Sequence, residues 1–92
     1  MSVTVHLSGH LKAFTGGQLE VQLPGEFATV ADALESLWKH HRALRDRVLN
    51  EQGEIRQHVN IFIGSDDVKR QKGLQTKLAS NELHIFNAVS GG

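Results

Sequence analysis

The chain ends Asn87-Ala88-Val89-Ser90-Gly91-Gly92, and its last Asp, Glu, Lys or Arg is Glu82. The chemistry open to such an end is that of its own carboxylate. Two glycines, lacking Cβ atoms, can thread a narrow channel in backbone conformations closed to other residues. An uncharged stretch (Ala88, Val89, Ser90, Gly91) can enter another protein's active site without the cost of stripping water from charged side chains. A bare carboxylate resists nucleophiles until it is activated, and adenylation by ATP would supply the leaving group. The chain has no cysteine to bear sulfur, so sulfur carried by it would have to be bonded at Gly92. At a glycine frequency of ~7%, two terminal glycines arise by chance about once in 200 sequences. The pair alone therefore also fits a frayed terminus.

The other reactive side chains form weaker patterns. Six histidines are present, but His40 and His41 are adjacent and would point about 100° apart on a helix. His6 and His10 have no evident carboxylate or third ligand close in sequence, and no H-x-x-x-H motif on a helix supports a metal, so neutral, solvated histidines and no metal site are expected. Lys39, His40, His41, Arg42, Arg45 and Arg47 cluster where a helix would end, which complements the helix dipole. A docking patch for an acidic partner or RNA is the competing reading. Only Trp38 interrupts that cluster's neighbourhood with an aromatic ring, and it falls at a core spacing, so no base-stacking platform is present. Adjacent Asp66 and Asp67 would point apart in a turn, and Ser65 and Ser90 lack a histidine–carboxylate partner motif. Nothing here makes the chain an enzyme in its own right.

Composition narrows the partners further. Ninety-two residues with 39% apolar and 22% charged side chains are one globular domain's worth. Ten Lys and Arg balance ten Asp and Glu, so no net basic field favours nucleic acid or an anionic membrane. The absence of cysteine excludes disulfides, thiolate metal sites and a cysteine nucleophile, and fits a reducing compartment. No run reaches the ~18–20 apolar residues of a membrane span, and the opening MSVTVHLSGHLK lacks the layout of a signal peptide. A cytoplasmic domain is expected.

The elements that must position that end follow from periodicity. Val3, Val5 and Leu7 alternate with polar residues, as do Leu19, Val21 and Leu23, predicting two half-buried strands. The connection 9–17, with Gly16-Gly17 before the second strand, predicts a hairpin with a longer loop, which Pro24-Gly25 ends. Thr29 is placed to cap a helix carrying Val30, Leu34, Leu37, Trp38 and His41 on one face, with Asp32 in its first turn. Residues 43–49 predict a second short helix, stopped by Gly53. Val59, Ile61 and Ile63 alternate with His58, Asn60 and Phe62 in a third strand. Residues 66–70 predict a short charged edge strand, a turn follows at Lys72-Gly73, and Leu83, Ile85 and Val89 mark the last strand.

The order ββαββ belongs to the α+β class, one sheet with a helix on one face. A β-grasp fold satisfies it, with a mixed four- to five-stranded sheet and one main helix on a single domain spanning 1–92, and a flexible tail at 87–92. Periodicity alone leaves open a split ferredoxin-like fragment or a small barrel.

The strand order, the stretch His58-Val59-Asn60-Ile61-Phe62-Ile63 and the ending Ala88-Val89-Ser90-Gly91-Gly92 resemble the MoaD/ThiS family of ubiquitin-like sulfur carriers, across essentially the whole chain and most strongly over 59–92. The resemblance implies a β-grasp protein whose terminal glycine, here Gly92 preceded by Gly91, is adenylated by an E1-like (MoeB/ThiF-type) enzyme. ATP is spent by that partner, no cofactor is bound by the carrier, and the resulting thiocarboxylate donates sulfur to a biosynthetic acceptor. Asp66-Asp67-Val68-Lys69-Arg70 followed by Gly73-Leu74-Gln75-Thr76-Lys77-Leu78 is similar to carriers serving cysteine-synthase-like enzymes. Molybdopterin and thiamine carriers come next. Asn87 stands where many relatives have a proline that stiffens the start of the tail.

Two rivals share the same features: a ubiquitin-like modifier joined through Gly92 to lysines of target proteins, and a plain interaction domain. Strand parity also places His6, His58, Phe62, His84 and Phe86 on the sheet face away from the helix, where they would form a contiguous docking patch. Leu34, Leu37 and Trp38 are expected on the other face, against Val5, Val21, Ile61 and Ile85.

Overall fold

The structure, a computed structural model, describes residues 2–87. Strand β1 (Ser2–Leu7) buries Val3, Val5 and Leu7 and turns Thr4 and His6 the other way. Strand β2 (Glu20–Pro24) returns antiparallel to it with Val21 opposite Val5. Two helices cross over, α1 (Val30–His40) and α2 (Arg42–Val48). Strand β3 (Val59–Ile63), the two-residue β4 (Asp66–Asp67) and β5 (Glu82–Asn87) complete a sheet in the order β2-β1-β5-β3-β4. The β1–β5 pair is parallel and the other pairs are antiparallel. A mixed five-stranded sheet with its first and last strands paired at the centre is the β-grasp arrangement, which sets aside the ferredoxin-like and barrel alternatives.

The core lies between the sheet and its helices. Val30, Ala33, Leu34 and Leu37 of α1 and Leu44 and Val48 of α2 join the inward residues of β1, β2, β3 and β5 in one buried aliphatic cluster. Thr29 caps α1, its hydroxyl oxygen accepting from the Asp32 amide at 3.3 Å, and so satisfies one of the donors a helix start leaves orphaned. Among the described residues, no helix is long and apolar enough to cross a membrane.

Five local expectations need correction. The loop 9–17 holds a 3-10 helix, Gly9–Phe14, which inserts the fully buried Leu11 into the core. Gly16 and Gly17, at φ 68° and 91°, then reverse the chain in a conformation that disfavours Cβ-bearing residues. β2 begins at Glu20, and Leu19 just before it is 48% exposed, although its carbonyl still accepts from the Leu7 amide of β1 at 2.8 Å. α2 stops at Val48, and Leu49 bridges to Ile55 around Gly53. The expected edge strand 66–70 lasts two residues, because the Asp67 carboxylate accepts from the Lys69 amide at 2.9 Å and caps a 3-10 turn, Val68–Arg70, that buries Val68. Trp38 is half-buried at the margin of the core rather than within it.

Candidate functional site

Every strand that buries its odd-numbered side chains must present its even-numbered ones on the opposite face, because side chains alternate along a strand. On β1 these are Thr4 and His6, on β5 Glu82, His84 and Phe86, and on β3 Asn60 and Phe62. The ladder registers then decide which of them meet. His6 pairs with His84 across the parallel β1–β5 ladder. His84 pairs with Phe62, and Phe86 with Asn60, across the antiparallel β5–β3 ladder.

The face divides into an aromatic half and a polar half. Phe62 and Phe86 stack with centroids 5.4 Å apart, and Phe86 is 37% exposed, a large apolar ring left in solvent. The rings of His6 and His84 stack at 4.5 Å and 12°. Two carboxylates flank His6: Glu82 Oε1 lies 2.5 Å from Nε2, and Glu20 of β2 lies 3.6 Å from Nδ1. The Thr4 hydroxyl donates to Gln22 Oε1 at 3.0 Å beyond them.

Of the residues expected on this face, His6, Phe62, His84 and Phe86 are brought together. His58 is exposed in the turn before β3, one residue short of the strand. The Val59–Asn87 pairing puts that turn at the end of the sheet where the chain leaves β5. Asn87, expected to open the tail, is instead the last residue of β5. Ala88, Val89, Ser90, Gly91 and Gly92 lie outside the described residues.

Glu20 and Glu82 are site residues that the sequence reading did not single out. His6 has no carboxylate near it along the chain, yet the fold supplies two, Glu82 from 76 positions away. The even parity of Glu82 and His84 was a usable signal for their shared face. Their meeting with His6 depends on the β1–β5 register. His40 sits elsewhere, at the end of α1, with Nδ1 2.9 Å from the Ser36 carbonyl.

A cleft of about 620 Å³ lies between the β2–α1 turn and residues 78–81, at the opposite end of β5 from Asn87. Glu26 is its only Asp, Glu, Lys, Arg or His among the lining residues. It offers no paired acid and base.

Comparison with known proteins gives a consistent picture. The ThiS family model matches residues 5–92. The Sulfur carrier protein CysO of Mycobacterium tuberculosis is 30% identical over 95 residues, covering 100% of both chains. The Small archaeal modifier protein 1 of Haloferax volcanii is 35% identical over 74 residues, 80% of each chain. Among solved structures, the Amycolatopsis orientalis BexX/CysO complex contains a chain that superposes with a TM-score of 0.85 at 27% identity, covering 98% of this chain and 99% of that one.

Proposed function

This chain belongs to the ThiS family of ubiquitin-like sulfur carriers and modifiers, and from that premise we propose that it carries sulfur as a thiocarboxylate at Gly92. An E1-like adenylating enzyme transfers AMP from ATP to the Gly92 carboxylate and releases pyrophosphate. A sulfur nucleophile then displaces AMP, leaving a C–S bond in place of one C–O bond. The sulfur is transferred to the substrate of an acceptor enzyme of the cysteine-synthase-like type, and hydrolysis of the acyl C–S bond by water regenerates the carboxylate. The chain is a co-substrate in this cycle and the partner supplies the catalysis. ATP is the partner's substrate, so the cycle belongs in the cytoplasm.

One observation carries the reading. The strand bearing the exposed Phe86 is the strand whose sequence runs on, within the family match, to Gly91-Gly92. A partner that grips Phe62 and Phe86, with His6, His84 and His58 at the margins, therefore holds β5 in place and aims residues 88–92 at its nucleotide site. Both contacts are needed, because a few tail residues bury far less than the roughly 800 Å² per partner of a standard specific interface. The likeness to CysO supports the cysteine type.

The likeness to the archaeal modifier favours a second reading, in which the activated Gly92 acylates lysines of other proteins. Mass spectrometry of the protein from its native cell separates them: one oxygen replaced by sulfur marks the carrier, and higher-mass conjugates mark the modifier. Deleting Gly92 should abolish the thiocarboxylate while leaving the fold intact. Undiminished sulfur transfer by the shortened chain would refute the role given to Gly92.

A further inference from the structure

The cluster around His6 goes beyond what carrying sulfur requires. We propose that His6, Glu82 and His84 form a divalent metal site of the zinc class on the exposed sheet face. One donor atom from each lies within 4.8 Å of the other two. Two imidazoles and a carboxylate are a donor set zinc takes with a fourth position left open, and imidazole also suits copper and nickel. Here that position would face water, since Glu82 is half exposed and the His6 side chain is 31% exposed.

A paired ladder lies under the cluster. β1 and β5 are adjacent central strands, and their register sets His6 beside His84 and Glu82 beside Thr4. Glu20 adds a further element. It lies 3.6 Å from His6 Nδ1, so when Nε2 turns to a metal, the Nδ1 proton is directed at a carboxylate. Such an outer partner fixes the tautomer and orientation of a ligating histidine and makes it a better donor.

Binding requires local rearrangement. The donor lone pairs of an imidazole lie in its ring plane, and the His6 and His84 rings are nearly parallel, so one ring must turn about its Cβ–Cγ bond. Zinc ligands at about 2.0–2.2 Å from the ion sit roughly 3.3–3.6 Å from each other in a tetrahedron. The 2.5 Å contact between His6 and Glu82 therefore opens, and the widest donor separation closes by about 1.5 Å, within reach of side-chain rotation. The metal exchanges a stacked pair and one hydrogen bond for three coordinate bonds, and displaces any proton on the donor atoms.

The test uses zinc alone on the intact chain, with no activating enzyme, so it is independent of the sulfur chemistry. Calorimetric titration should give one zinc per chain. His84→Ala and Glu82→Gln should each weaken it at least tenfold, and Glu20→Gln about tenfold, the lower end of what outer partners contribute. His40→Ala and His41→Ala should bind as the parent does. Circular dichroism checks that each variant is folded, and His84→Gln replaces His84→Ala if the latter is not. In the parent, cobalt should give the visible spectrum of a low-coordinate site and lose it in the His84 variant. Equal zinc affinity in parent and His84 variants, loss confined to the His40 or His41 variants, or no one-to-one binding overturns the proposal.

Discussion

The two faces of one sheet are built from the same strands, residue by residue, and they do different work. The inward face is uniformly aliphatic: Val5, Ile61, Leu83 and Ile85 are fully buried and differ from one another mainly in shape. The outward face alternates with it and carries imidazoles, carboxylates and two phenyl rings. Stability is concentrated on the first face because buried apolar area is what resists unfolding. The second is left to solvent, where a side chain can change without opening a cavity, and it is there that we propose recognition takes place. The lesson is that adjacent positions on β5 should respond to substitution in opposite currencies, one in folding and one in binding.

The largest effect should come from the inward face. Ile85 lies between Leu7 and Ile61 on the central strand, with no exposed surface. Ile85→Ala should cost about 2–5 kcal/mol, the range for deleting a fully packed aliphatic side chain. Its neighbour His84, substituted to Ala, should lose no more than about 1 kcal/mol, the worth of a cross-strand pair. Urea unfolding of the two variants measures the contrast. Similar losses from both would show that the outward face is structural.

An intermediate effect is expected at the margin. Trp38 packs against the core while remaining half-buried, so part of its surface is already in water. Trp38→Ala should fall below the roughly 3–5 kcal/mol of a fully buried ring, at about 1–3 kcal/mol. A loss above that range would place Trp38 with Ile85 energetically and erase the distinction between margin and core.

How much of this was legible in the sequence follows the same division. Val3, Val5, Leu7, Val21, Leu23, Ile61 and Ile85 announced the inward face through period-two alternation, a local signal that strand burial obeys. Thr29 and Asp32 announced the start of α1 for an equally local reason. Leu11 was hidden because a 3-10 helix of six residues has too few turns to show a period, although Leu11 and Phe14 stand three apart. β4 was overextended because the Asp67 cap competes with the ladder, and only the fold shows which wins. The His6–Glu82–His84 cluster was hidden for a different reason: it is assembled by the register of two strands at opposite ends of the chain, which no local pattern encodes.

The smallest effect on folding should come from Phe62→Ala and Phe86→Ala, and there the comparison between the faces is at its sharpest. Neither ring is fully buried, and each loses mainly the stacking with the other, about 0.5–1.5 kcal/mol. In binding the order should reverse. An aromatic side chain at the centre of an interface commonly costs more than 1–2 kcal/mol when truncated, because it fills a desolvated pocket that alanine leaves empty. The folded Phe62→Ala and Phe86→Ala chains should therefore bind the activating enzyme at least about tenfold more weakly than the parent, an affinity loss of ~1.4 kcal/mol. Phe86 should matter more, because it is the more exposed ring and lies next to Asn87, where the described strand ends. Parent-like affinity in both variants would remove this face from docking. The basic stretch through Arg42, Arg45 and Arg47 of α2 would then be the next surface to test.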